Sequence, residues 1–140
     1  MEQAAGKALI MRDDGFAPED WSAPLGGVDE AEGVLGLDLG PGEDLAALAP
    51  HIDRIAMIRV RFGRFADGRG FTVARRLRAM GYAGRLRAAG YVLADQYAMA
   101  RRAGFDEVEV TPAIAARQPE AQWRARADWR SGDYQARLRG

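Results

Sequence analysis

The residues best suited to chemistry lie between Arg64 and Gly70, in the stretch FGRFADGRGF from Phe62 to Phe71. Gly68-Arg69-Gly70 at the start of a helix would expose backbone N–H groups to an anion, with Arg64, Arg69 and Arg87 adding charge-assisted donors. Sulfite, phosphate or a partner's carboxylate fits such a set. The plainer alternative is a tight glycine turn in which Asp67 caps the helix or pairs with an arginine. A dinucleotide fingerprint begins with the same G-x-G. It also needs a third small residue, a strand directly before it and an acid ending the next strand. Val73 holds the third position, several residues separate loop from strand, and Ala89-Gly90 ends the next strand, so the match fails.

Asp95-Gln96 is the second polar pair. Asp95 sits early in a helix, where the dipole favours it, and Gln96 shares a helix side with Val92 and Met99. A half-buried amide needs partners, so structural hydrogen bonding is the reading ahead of catalysis. The one histidine, His51, stands beside Pro50 and reads as a helix-end residue rather than a general base. No nucleophile and base are spaced as a triad.

Alternating strands and helices must position these groups. Lys7 to Met11 reads as an edge strand ending in an Asp14-Gly15 turn, and residues 12 to 32 read as an extended acidic arm anchored by Trp21. Strands follow near residues 34, 55, 85 and 106. The strongest is Ile55 to Phe62, with Ala56, Ile58, Val60 and Phe62 on a core face and Arg59 and Arg61 ending the other. Helices are expected from Pro41 to Pro50, Gly70 to Met80, Val92 to Ala103 and Pro119 to Arg130. Within the third of these, Val92, Gln96, Met99 and Ala103 form one side, and Pro112 breaks the last strand. The alternation implies a small, mostly parallel α/β sheet of about four βα units, either an open doubly wound sheet or a half-barrel. Both place ligands at the strand C-terminal ends, where Gly63 to Gly70 falls. The domain plan is an edge strand and arm over 1–32, one α/β domain over 33–130 and a polar tail over 131–140.

The 140 residues suffice for one domain with a real core. With no cysteine, the chain cannot ligate an iron–sulfur cluster, and one histidine makes a poor start for a zinc site. No apolar run suits a signal peptide or a membrane span, so a soluble, cytoplasmic protein is expected. Charge is divided along the chain. Residues 1–50 hold eleven acids against Lys7 and Arg12, whereas residues 51–140 hold nine acids against eighteen arginines. A free basic half would suggest nucleic acid, but an acidic half tethered beside it can neutralise its field by folding against it. No aromatic RNA platform or DNA-reading motif accompanies the charge, which argues against nucleic acid. A sheet with open edges and an uncovered face is compatible with a homodimer.

The motifs FADGRGF, ARRLR, LRAAG, VLADQ and ARRAGFDEVEV occur in that order between residues 65 and 110. They resemble a bacterial family of unknown function whose members carry the label "oxidoreductase probably involved in sulfite reduction". The resemblance is good over residues 52 to 112 and looser at Asp20-Trp21 and Tyr134-Gln135. It departs from the family pattern at Gly63, Tyr91, Ala94 and Ala103. It implies a role in sulfite reduction, with sulfite reductase as partner and a small anion as ligand. Arg64, Phe65, Asp67 to Gly70, Arg87, Asp95 and Gln96 remain to carry a shared function. Reducing sulfite to sulfide passes six electrons through iron–sulfur and haem-type centres, so a chain without cysteine is expected to be an accessory rather than the catalytic subunit. The cofactor is left open. The rival expectations are an independent small oxidoreductase or lyase with a diffusible cofactor, and a pure interaction module.

Overall fold

A computed structural model describes residues 8–40, 42–64 and 68–130. Seven strands form one sheet: β1 (Leu9–Arg12), β2 (Gly15–Pro18), β3 (Leu25–Gly26), β4 (Gly36–Leu39), β5 (Met57–Phe62), β6 (Arg85–Gly90) and β7 (Glu107–Val110). Their spatial order is β2-β1-β7-β6-β5-β4-β3. β3 to β7 run parallel in unbroken chain order, and β1 joins antiparallel between β2 and β7. A doubly wound sheet reverses its strand order at a switch point, and this one does not. Right-handed crossovers that all step the same way put every connection on one face, which is the winding of a half-barrel.

That face carries the apolar core. Leu37, Ile58 and Leu86 line up across three strands, and Leu39, Val60, Ala88 and Val108 form the next row. Against them pack Leu45, Leu48 and Ile52 of the 3-10 segment Leu45–Arg54 and Phe71, Ala74 and Leu77 of α1 (Arg69–Ala79). Tyr97, Ala100 and Ala103 of α2 (Tyr97–Ala103) complete this side. Asp44 caps the 3-10 segment by accepting from Ala46 N–H, and the segment continues through Pro50 to Arg54, past the stop the proline suggested. α3 (Pro112–Arg117) begins where a strand breaker was expected. Thr111 accepts from Ile114 N–H as its N-cap, and Pro112 sits in the first turn, where a missing N–H costs nothing. α4 (Glu120–Arg124) then places Trp123, fully buried, against Phe16 and Tyr97.

The N-terminal stretch is woven into the sheet. β1 is an interior strand, not an edge, because Leu9, Ile10 and Met11 pair with Val110, Glu109 and Val108. β2 lies at one edge and β3 at the other, so residues 19–24 cross the face opposite the helices. Along a flat sheet, six interstrand spacings amount to about 29 Å. Seven residue steps from Pro18 to Leu25 reach at most about 25 Å. The sheet therefore curls around this strap, which covers in cis the face that seemed open to a second copy. Trp21 lies where a side chain on Gly36 would have to sit, 3.0 Å from the ring.

Candidate functional site

Beneath the strap, the alternation that puts Ile58 and Val60 in the core aims the residues between them the other way. Asp38, Arg59, Arg87 and Glu107 are register partners across β4, β5, β6 and β7. Arg87, 1% exposed, donates from Nε to Glu107 at 2.7 Å and from Nη1 to Glu109 at 2.9 Å. Both Nη atoms grip Glu19 of the strap at 2.7 Å. Arg59 bridges Asp38 at 3.0 Å to Glu109 at 3.2 Å, and Arg61 reaches Asp38 at 3.1 Å. Glu107, 2% exposed, also accepts from Arg85 at 2.8 Å and from Arg12 at 3.0 Å, and both of those arginines pair with Asp20. Five acids and five arginines thus interlock. Burial works against the charge on Arg87, but hydrogen bonds to Glu19, Glu107 and Glu109 outweigh it and raise its pKa. The Arg87 hydrogen bonds hold the Glu19 carboxyl below the usual range, and those of Arg85 do the same for Asp20. The acids of the N-terminal half do fold against the arginines of the C-terminal half: Glu19, Asp20 and Asp38 here, and Asp13 on Arg101 and Tyr97 at the hairpin between β1 and β2.

This network fixes Arg87 away from the loop with which the sequence grouped it. All three guanidinium nitrogens are engaged by carboxylates, on the strap side of the sheet. The loop lies at the C-terminal end of β5. Arg64 is exposed there, and Gly68 precedes α1 with open space where a side chain would go. Arg69, also exposed, is the first residue of α1. Phe65 and Asp67 lie outside the described residues, as do Tyr134 and Gln135. Gly70 has a packing role: a Cβ there would stand 2.3 Å from the Phe62 ring, so only glycine lets the helix start lie on that ring. Gly90 closes the same corner. Its φ of +96° and the Phe62 carbonyl 2.5 Å from a would-be Cβ both require glycine.

Asp95 and Gln96 lie one strand over, beyond the C-terminal end of β6, in the 3-10 turn Ala94–Gln96. Gln96 accepts from Leu93 N–H at 2.8 Å, a bond within its own turn, whereas Asp95 is exposed. The tight turn also shifts the helical phase, so Met99 is 47% exposed while Tyr97, Ala100 and Ala103 face the core. Sequence reasoning missed the neighbouring side chains Arg117, Gln118, Gln122 and Arg126. They come from two short helices split at Pro119 and the residues just after each, too brief to show a period. With Asp95 they line concavities of about 520 and 340 Å³ beside the ends of β6 and β7.

Fold and site together define a singly wound α/β domain with a strapped, charge-filled face and an exposed, arginine-bearing rim at its strand C-terminal ends. The chain belongs to the family described as "Bacterial protein of unknown function (DUF934)", whose model matches residues 36–140. The match begins at the first residue of β4, so the strap lies outside it. A search of curated proteins found no match. Among the described residues, no helix is long and apolar enough to cross a membrane.

Proposed function

We propose that this protein is an accessory of assimilatory sulfite reduction that docks on sulfite reductase, or on an anion it handles, through the rim around Arg64, Gly68 and Arg69. The observation that carries this reading is the contrast between the arginines of the strap face and Arg64. Those on the strap face are neutralised by carboxylates, while Arg64 at the end of β5 is exposed and has no side-chain partner among the described residues. An exposed cation beside a helix start suits recognition of an acidic surface or a small oxyanion. The lack of cysteine fits an accessory role, since this chain cannot hold the cluster that sulfite reduction requires. Motif resemblance supplies the pathway.

The test is mass spectrometry of the tagged protein, purified gently from its own host growing on sulfate. Near-stoichiometric recovery of sulfite reductase is expected, with recovery falling for Arg64→Glu combined with Arg69→Glu. The same double variant should slow growth on sulfate and leave growth on cysteine unchanged. Recovery of the chain alone, together with a thermal shift on adding flavin or nucleotide, would overturn the accessory reading in favour of an independent enzyme.

A further inference from the structure

The groove beyond the ends of β6 and β7 has walls from two separate elements, tied together by one side chain. Gln118 Oε1 accepts from Ala94 N–H at 2.8 Å, which joins the Ala94–Gln96 turn to the junction of α3 and α4. Its backbone carbonyl accepts from Trp123 Nε1 at 2.9 Å, so the buried tryptophan fixes the same residue from behind. The first concavity, about 520 Å³, is lined by Ala94, Asp95, Gln118, Gln122, Ala125 and Arg126. The second, about 340 Å³, shares Gln118 and Gln122 and adds Leu93, Ile114 and Arg117. Both volumes fall in the range of small-molecule sites, at the end of the strands where α/β folds bind ligands.

Charge decides what fits. Asp95 and Arg126 face one concavity with opposite signs, yet they form no ion pair with each other, and neither has another side-chain partner among the described residues. A simple anion would gain Arg126 but meet repulsion from Asp95, and a simple cation would meet the reverse. A molecule carrying both an ammonium and a carboxylate, as an α-amino acid does on one carbon, offers each residue its opposite charge and a charge-assisted hydrogen bond. The amides of Gln118 and Gln122 supply further donors and acceptors beside it. The groove continues from there into the second concavity, where Leu93 and Ile114 offer apolar contact and Arg117 a cation.

We propose that this groove binds a free α-amino acid as the zwitterion, its ammonium on Asp95, its carboxylate on Arg126, and a side chain with an acidic or accepting end directed at Arg117. The site is distinct from the Arg64 to Gly70 rim and does not depend on the role proposed for it.

Isothermal titration of the full chain with L-glutamate tests this, using N-acetyl-L-glutamate, the α-amide of L-glutamate and L-alanine as comparison probes. L-Glutamate should bind, and blocking either head-group charge should weaken it by about tenfold or more. Asp95→Asn and Arg126→Gln should each weaken glutamate to the same degree without moving the melting temperature of the free protein, since both residues are exposed. Arg117→Gln should weaken glutamate while leaving alanine unchanged. Silence of both glutamate and alanine into the millimolar range, or equal binding of the blocked derivatives, would overturn the proposal. Equal binding of alanine and glutamate would overturn the part assigned to Arg117.

Discussion

The two faces of the sheet are made by alternate residues of the same strands and are held together by opposite means. On the helix side, Ile58, Val60, Leu86, Ala88 and Val108 are buried by packing alone, a contribution of about 25 cal/mol for each Å² of apolar surface removed from water. On the strap side, Arg87 and Glu107 are equally buried, and desolvating them consumes most of what their attraction returns. The first face accounts for stability. The second contributes a demand for register: a slip of one residue would set Arg59 and Arg87 against apolar side chains and bury Ile58 and Leu86 among carboxylates.

The comparison breaks hardest where one partner is removed from the charged face. Glu107→Ala leaves Arg87 buried without one of its anions and should cost about 3–5 kcal/mol in urea unfolding. Arg87→Met combined with Glu107→Leu should cost clearly less than the sum of the two single changes, which would separate lost pairing from stranded charge. On the apolar face, Ile58→Ala should cost about 2–5 kcal/mol by leaving a cavity, and no second substitution opposite should rescue it. If Glu107→Ala proves nearly neutral, the charged face is solvated rather than buried and the contrast fails.

Acid sharpens the comparison with a smaller effect. The Glu19 and Asp20 carboxyls are depressed by Arg87 and Arg85, so between their folded values and the ordinary carboxylate range the unfolded chain binds more protons. Their contribution is complete above about pH 5 and is lost as pH falls through the folded values. Melting temperature should therefore decline on acidification below about pH 5. Glu19→Gln with Asp20→Asn should reduce that decline, leaving the part owed to Asp13, whose burial is outweighed by hydrogen bonds from Tyr97, Arg101 and Trp129 that hold its carboxyl down.

Much of this frame was legible because its signals are local. The period-two run of β5 marked both the core face and the turn to arginine on the other, and DEVEV carried the matching acids of β7. The half-to-half charge asymmetry left room for the acids to fold against the arginines, as Glu19, Asp20 and Asp38 do. What was hidden depends on distance or on short geometry. β1 has no nearby signal for its partner, since β7 lies at the far end of the described chain. Residues 12 to 32 have no period because β2 and β3 are brief and the strap between them is held by side chains rather than by a ladder. Pro112 stops a strand and starts a helix with equal ease, and Thr111 before it decides the matter. Arg87 was grouped with the loop by its charge, although its odd position on β6 sends it to the face opposite the helices. Asp95 was singled out, but the arginines and glutamines around it belong to α3, α4 and the turns that follow them, more than twenty residues downstream.

The pairing of β1 with β7 also orders events in time. During synthesis Leu9 emerges about a hundred residues before Val110, at roughly 5–20 residues per second, so β1 waits several seconds for its inner neighbour. The strap cannot be clamped before Arg85, Arg87 and Glu107 have appeared, and any parallel strands that pair earlier do so with one face unlined. The sheet therefore cannot be completed before β7 is made, and a nascent chain stalled before Glu107 would present an acidic N-terminal stretch beside an unfinished basic sheet.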